Sequence, residues 1–157
     1  GEVTWVDVLV PATDPLANHD VSRAALWLGE VWVRTLETLG VQRAAVHRGP
    51  MVRTARSDLV CFAGVAPGEV TVDARKIVGI SQRRTRAGAR FQCALLHRWQ
   101  PGPLLDVLAL DDEERTRAEP QLADNAVGAE ELNGEGLRSA TVVQAFVDCL
   151  QGRSGPE

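Results

Sequence analysis

The chain has 157 residues, the length of about one domain and enough for a sizeable core. Hydrophobic residues make up 45% and charged residues 24%, ordinary for a soluble globular protein, and a formal net charge of -4 does not favour a nucleic-acid partner. Three cysteines at irregular spacing argue against a disulfide framework and for a reducing, cytoplasmic setting. No His/Cys cluster has metal-ligand spacing. No apolar run reaches the roughly 18 residues that span a bilayer, so no membrane segment is expected. The chain starts at Gly1 and enters strand-like sequence almost at once, which fits a fragment or processed piece of something longer.

Residues 3–10 read as a strand ended by Pro11, and their nearly continuous apolar content predicts a central strand covered on both faces. Asp7 interrupts the run, as a hydrogen-bonded or edge-facing carboxylate or as a ligand contact. A polar turn covers residues 13–19. Asp20 is placed to cap a helix over residues 20–39, with Gly40 as its stop. Trp27 and Trp32 fall beside its apolar stripe and are expected in the core. Residues 41–47 predict a short strand with His47 at its end. The loop that follows carries Arg48, Arg53 and Arg56 before Ser57 and Asp58, and either holds an anion or is simply solvated.

A strand is expected over residues 59–62, carrying Cys61. Residues 69–72, 76–83 and 90–99 predict antiparallel strands, with turns at Asp73-Ala74 and Arg86-Ala87-Gly88. Short helices are expected at 104–110 and after the acidic run 111–114, then loop with at most a short helix over 119–136. An amphipathic helix is expected over 137–150, on which Cys149 is a packing residue. Residues 1–151 form one expected domain, and 152–157 a disordered tail.

One segment draws attention: Lys76-Ile77-Val78-Gly79-Ile80-Ser81-Gln82-Arg83-Arg84. Lys76 is the one lysine beside 16 arginines (17 − 1). Arginine keeps its proton and spreads its charge over a planar fork, whereas lysine is a compact charge on a flexible stem. The lysine is either an accident of composition or a point charge needed there. Gly79, inside a run of β-formers, marks a place where a ligand or another backbone comes close.

This segment resembles the lipoate–protein ligase and octanoyltransferase family, whose catalytic domain is related to biotin–protein ligases. Its Lys-x-x-Gly-x-(Ser/Ala)-x-x-Arg-like strand matches here. Ser57-Asp58-Leu59 looks like the family's Asn-Asp-Leu segment, and residues 90–96 sit where many members have His-Gly-(Ser/Thr)-Leu-Leu. The resemblance implies an α+β fold with a central, largely antiparallel sheet flanked by helices. It also implies attachment of lipoate or octanoate to a lysine of a lipoyl-domain or glycine-cleavage carrier protein, through an acyl-adenylate made from ATP with Mg2+.

In that reading Lys76 stabilises the charge that develops at the activated carbonyl. Gly79 lets the acyl chain or nucleotide lie close. Ser81, Gln82, Arg83 and Gln92 supply binding contacts, and Asp58 helps position magnesium between phosphates. Cys61, in Leu59-Val60-Cys61-Phe62, looks like the Cys-Phe segment of one octanoyltransferase class. There the cysteine carries the acyl group as a thioester and no ATP or other cofactor is needed. The alternative for Cys61 is an inert buried thiol.

Two features depart from the family. Its Arg-Arg-x-x-Gly-Gly-Gly hairpin should precede the Trp5 strand and does not, and Gln92-Cys93 replaces His-Gly. These departures leave open a chain completed by an N-terminal fragment or partner subunit, and a non-catalytic module that binds an acyl ligand or carrier.

Overall fold

The computed structural model describes residues 3–17, 20–134 and 136–152. Asn18 and His19 of the expected turn, and residues 153–157 of the expected tail, lie outside them.

Five antiparallel strands form one sheet in the order β1-β5-β4-β3-β2: β1 (Val3–Pro11), β2 (Ala44–Val46), β3 (Val70–Val72), β4 (Arg75–Thr85) and β5 (Gly88–Leu96). The largely antiparallel α+β expectation therefore holds. The expected place of the first strand does not. Among the described residues β1 is an edge strand, hydrogen-bonded to β5 alone, and its alternation sends Thr4, Val6, Val8 and Val10 inward while Trp5 and Leu9 stay exposed. An apolar run predicts burial on both faces only when both faces are covered, and here one is not.

The inner face packs on α1 (Leu26–Thr38) and α5 (Ser139–Gln151). Phe91, Cys93 and Leu95 of β5 and Val70, Val72 and Val78 of the strands beside it join Leu28, Val31, Trp32, Leu36, Val142 and Phe146 in one core. Both tryptophans lie in it as expected: Trp32 tilts against Phe146 at 4.6 Å between ring centroids, and Trp27 meets Phe91 edge-on at 6.0 Å. Cys149 packs at its margin.

α1 starts at Leu26 rather than at residue 20, because the Asp20 carboxylate accepts from the Ser22 N–H and closes a turn. Residues 59–62 do not form a strand. Cys61–Ala63 is a single 3-10 turn, since Val60 turns inward to a second, smaller cluster with Ala63, Leu105, Ala118 and Leu122. That cluster is built by α2 (Pro101–Asp106) and α3 (Asp112–Ala123). α2 begins at a proline suited to a first helical turn, three residues before the expected start. α3 is capped by the Asp111 carboxylate and continues through Pro120, so part of the expected loop is helical. α4 (Ala129–Asn133) is the short helix expected there. No helix among the described residues is long and apolar enough to cross a membrane.

Candidate active site

The β3–β4 hairpin sets the site. Its turn, Asp73-Ala74, has positive φ at both residues (49° and 65°), as a tight two-residue hairpin loop requires. Val72 pairs with Arg75 and Thr71 with Lys76, but Val70 pairs with Val78, so Ile77 is an extra residue. This β-bulge has one decisive effect. Ile77 and Val78 both enter the inner core, and the alternation is shifted so that Lys76 points to the outer face with Glu69 and Gly79. Bulges commonly re-aim a side chain in this way. The Lys76 backbone is also held from its other side: its N–H donates to Asn125 O at 2.9 Å and its carbonyl accepts from Val127 N at 3.0 Å.

Lys76 is buried, at 2% exposure. Its Nζ donates to Glu69 Oε2 at 2.9 Å and to the backbone carbonyl of Cys61 at 2.7 Å, and lies 5.1 Å from the centroid of the Phe62 ring. An ammonium has three N–H donors, so one remains beyond these two bonds. Glu69 is fixed in turn, because Oε2 also accepts from Ala66 N at 2.7 Å and Oε1 accepts from Ile80 N at 3.1 Å. Taking two charges out of water is costly unless the pair is close and its remaining lone pairs are satisfied, as they are here.

Gly79 does allow a close approach. A Cβ there would stand 3.2 Å from Phe62 Cζ and 3.5 Å from Glu69 Oε1. The group that uses the space is the protein's own Phe62, whose ring sits 6.0 Å from that of Trp99. Cys61 opens the same 3-10 turn and is exposed. Lys76, Gly79, Cys61 and Phe62 therefore form one cluster.

The other expected residues divide. Ser81, Gln92 and Asp7 are register partners and make a polar row across the outer face. Asp7 is held at the edge by Arg90 at 2.6 Å. Arg83 and Arg90 are cross-strand partners and, with Leu9, Thr85 and Gly88, line a hollow of about 440 Å³ at the far end of that face. Gln82 faces the other way: its amide donates to Val21 O at 2.7 Å, and its carbonyl accepts from Arg84 Nε at 3.3 Å. Asp58 stands in solvent, 91% exposed, paired with Arg53 at 3.1 Å. Cys93 is buried on the inner face, and that burial pushes its thiol up to about 12. In the basic loop, Arg48 pairs with Glu30 and Arg56 donates to Gln121 Oε1 at 2.9 Å.

Sequence reasoning missed Glu69. A two-residue turn at Asp73-Ala74 already makes Glu69 and Lys76 diagonal neighbours on one face, so the hairpin register was the available signal.

Among the described residues no group of three or more His, Cys, Asp or Glu side chains can hold a metal ion.

The sheet with its flanking helices matches the catalytic fold of biotin and lipoate protein ligases. A bi-partite lipoate protein ligase from Thermoplasma acidophilum, solved in work on an archaeal lipoylation system with its E2 lipoyl domain, superposes with a TM-score of 0.61 at 14% identity, over 94% of this chain and 50% of that one. Biotin protein ligase from Aquifex aeolicus gives 0.58 at 11% identity, over 96% and 52%. Its R40G mutant in complex with biotin gives 0.57 at 12%, over 96% and 49%. The chain thus spans about half the length of these structures. No curated protein sequence matches it. Residues 2–151 match the family described as the lipoyl protein ligase A/B catalytic domain, and the chain belongs to that family.

Proposed function

We propose that the chain supplies the cationic half of a lipoate–protein ligase-type site, which attaches lipoate or octanoate to a carrier-protein lysine through an acyl-adenylate. The observation that supports this is the single lysine, aimed by a bulge at the outer sheet face beside Gly79 and fixed through its backbone on both sides. In the reaction the acyl carboxylate attacks the α-phosphate of ATP and pyrophosphate leaves. The carrier amine then attacks the mixed-anhydride carbonyl, and AMP leaves. Lys76 would place positive charge between carbonyl and phosphate, where negative charge grows during that attack. Phe62 must swing off Gly79 for the acyl group to reach it. Arg83 and the polar row of Ser81 and Gln92 are the remaining contacts for the acyl-nucleotide on that face, and Mg2+ would enter with the ATP. The carrier is a lipoyl domain or glycine-cleavage protein. The structures it resembles are about twice as long, and one of them is a bi-partite enzyme, which supports a site completed by a further segment at the N-terminus or by a partner subunit.

The assay is acylation of a lipoyl domain with lipoate and ATP, by the chain together with its complementary segment. Lys76→Ala is expected to lower the rate at least a hundredfold while the unfolding transition stays cooperative. Full retained activity would overturn the proposal.

A second reading rests on a separate observation: the Cys61 thiol is exposed on the turn whose own carbonyl Lys76 holds. Its thiolate would attack an octanoyl thioester and expel the donor thiol, and the carrier amine would then take the acyl group and release Cys61. Incubation with an octanoyl-carrier protein and mass spectrometry separates the two. A 61-linked octanoyl adduct formed without ATP favours the thioester, and a strict ATP requirement favours the ligase.

A further inference from the structure

We infer that Glu69 is the positioning residue of this site: it locks the Lys76 ammonium against the Cys61–Ala63 turn, so that lysine and turn present themselves to the acyl group as one rigid unit. The inference rests on the proposed acyl-transfer reading for its purpose, but its geometry stands apart from it. A lysine has four rotatable side-chain bonds, and an ammonium left free on the outer face would sample many positions. Here Glu69 removes that freedom. Its carboxylate is itself pinned by two backbone donors, Ala66 N and Ile80 N, so it is a fixed acceptor and not a mobile counter-ion. The second bond of the ammonium goes to the backbone carbonyl of residue 61 rather than to another side chain. The charge pair therefore joins two pieces of chain that are 15 residues apart in sequence, the β4 strand and the 3-10 turn carrying Cys61 and Phe62.

A stabilising role alone is a poor explanation. A buried ion pair is often no more stabilising than the apolar side chains that could replace it, and an apolar neighbour is at hand in Phe62. Positioned charge matters most where charge develops during a reaction, because preorganised groups need no rearrangement at that moment. The Glu69 carboxylate does not touch the reacting atoms in this scheme. It acts through Lys76.

The sequence supplies an unusually direct test, because Lys76 is the only lysine. Labelling the protein with 15N-lysine gives one side-chain ammonium signal. In the wild-type chain that signal is expected to be sharp and slow to exchange with water. In Glu69→Gln the amide presents a donor where the carboxylate accepted, and the signal should broaden or vanish while the backbone amide spectrum stays folded. In Glu69→Asp, which keeps the charge, the signal should be partly restored.

Titration with a non-hydrolysable lipoyl-adenylate analogue provides the functional arm. Affinity should fall at least tenfold in Glu69→Gln and recover in part in Glu69→Asp. An unchanged ammonium signal in Glu69→Gln overturns the positioning role. So does a loss of thermal stability with unchanged analogue affinity in a wild type that binds. A wild-type chain that shows the fixed ammonium but binds no analogue, alone or with its complementary segment, leaves Glu69 as the lock and overturns the acyl-transfer reading instead.

Discussion

The two faces of the sheet are built by the same strands and differ in almost every respect. Inward, Phe91, Cys93 and Leu95 alternate into a continuous apolar layer under α1 and α5. Outward, the same strand shows Gln92 beside Ser81 and Asp7, and the edge strand leaves Trp5 67% and Leu9 76% exposed. The outer face is covered at one end, where Phe62 lies over Gly79 and Ala94 and Leu96 are buried, and there it holds the Lys76–Glu69 pair. The inner face removes apolar area from water and carries most of the folding free energy. The outer face holds polar and charged groups that contribute little or cost something.

The largest test of this contrast is chemical. Cys93 and Cys61 are both free thiols, one on the inner face and one exposed. With its ionisation pushed up to about 12 by burial, Cys93 at pH 8 is a thiolate in about one molecule in ten thousand. Brief treatment with iodoacetamide at pH 8 followed by peptide mass mapping should label Cys61 and leave Cys93 untouched until the protein is unfolded. Equal labelling of the two would mean that the inner layer is open.

Next in size is the stability of that layer. Trp32 is fully buried and packs on Phe146. Trp32→Ala should lower the unfolding free energy by about 3–5 kcal/mol, read from the shift of a urea transition at constant slope. A cost near zero would remove the inner face as the seat of stability.

How much of this could be read from the residues alone depended on where the information lay. The three-strand run from Glu69 onward was legible, because alternation and two tight turns are local signals. The inner core was legible for the same reason, from Phe91, Cys93 and Leu95 and from the stripe on α1. The edge position of β1 was not, since Val3 to Val10 has the composition of a covered strand and nothing local tells how many neighbours it has. The strand expected around Cys61 failed because Val60 answers to Leu105 and Leu122, more than 40 residues on. Of the candidate site, Lys76, Gly79 and Cys61 were singled out and do come together. Their partner Glu69 was not, although the two-residue turn at Asp73-Ala74 already sets it diagonal to Lys76 on one face. What local alternation leaves open is which face of the sheet that is, and the extra residue Ile77 settles it by sending both Ile77 and Val78 into the core.

A smaller effect is expected where the two faces meet, at the end of β5. Glu130 on α4 accepts from Arg98 Nε at 2.7 Å and from Leu137 N at 3.0 Å, next to His97, whose Nε2 reaches Thr4 Oγ1 at 2.6 Å. The Arg98 hydrogen bond, aided by the Leu137 N–H, holds the Glu130 carboxyl below its ordinary value of 4.5. A carboxyl lowered in the folded state adds stability that is fully present above its unfolded value and is lost as pH falls through the folded one. Wild type should therefore exceed Glu130→Gln in thermal midpoint at pH 6, and the gap should narrow steadily below about pH 4.5. A gap that does not change between pH 6 and pH 3 would show that the carboxylate charge contributes nothing there.

The smallest effect on stability, and the sharpest on the comparison, belongs to Trp5. A tryptophan buried on folding is among the most costly residues to truncate, yet this one keeps 67% of its surface in water and stands on an edge strand opposite Ala94. Trp5→Ser should change the unfolding free energy by no more than about 0.5 kcal/mol, as for other surface positions away from packed features. If the outer face is where the acyl-nucleotide or the carrier rests, the same substitution should weaken binding of the lipoyl-adenylate analogue or the lipoyl domain severalfold, because an aromatic ring in a newly covered site contributes large apolar area. Urea denaturation and calorimetric titration on the same variant read the two quantities independently. A stability loss well above 1 kcal/mol would mean that Trp5 is already packed and the outer face is a second core. A variant unaltered in both would leave the ring idle and confine the working surface to the Lys76 end of the sheet.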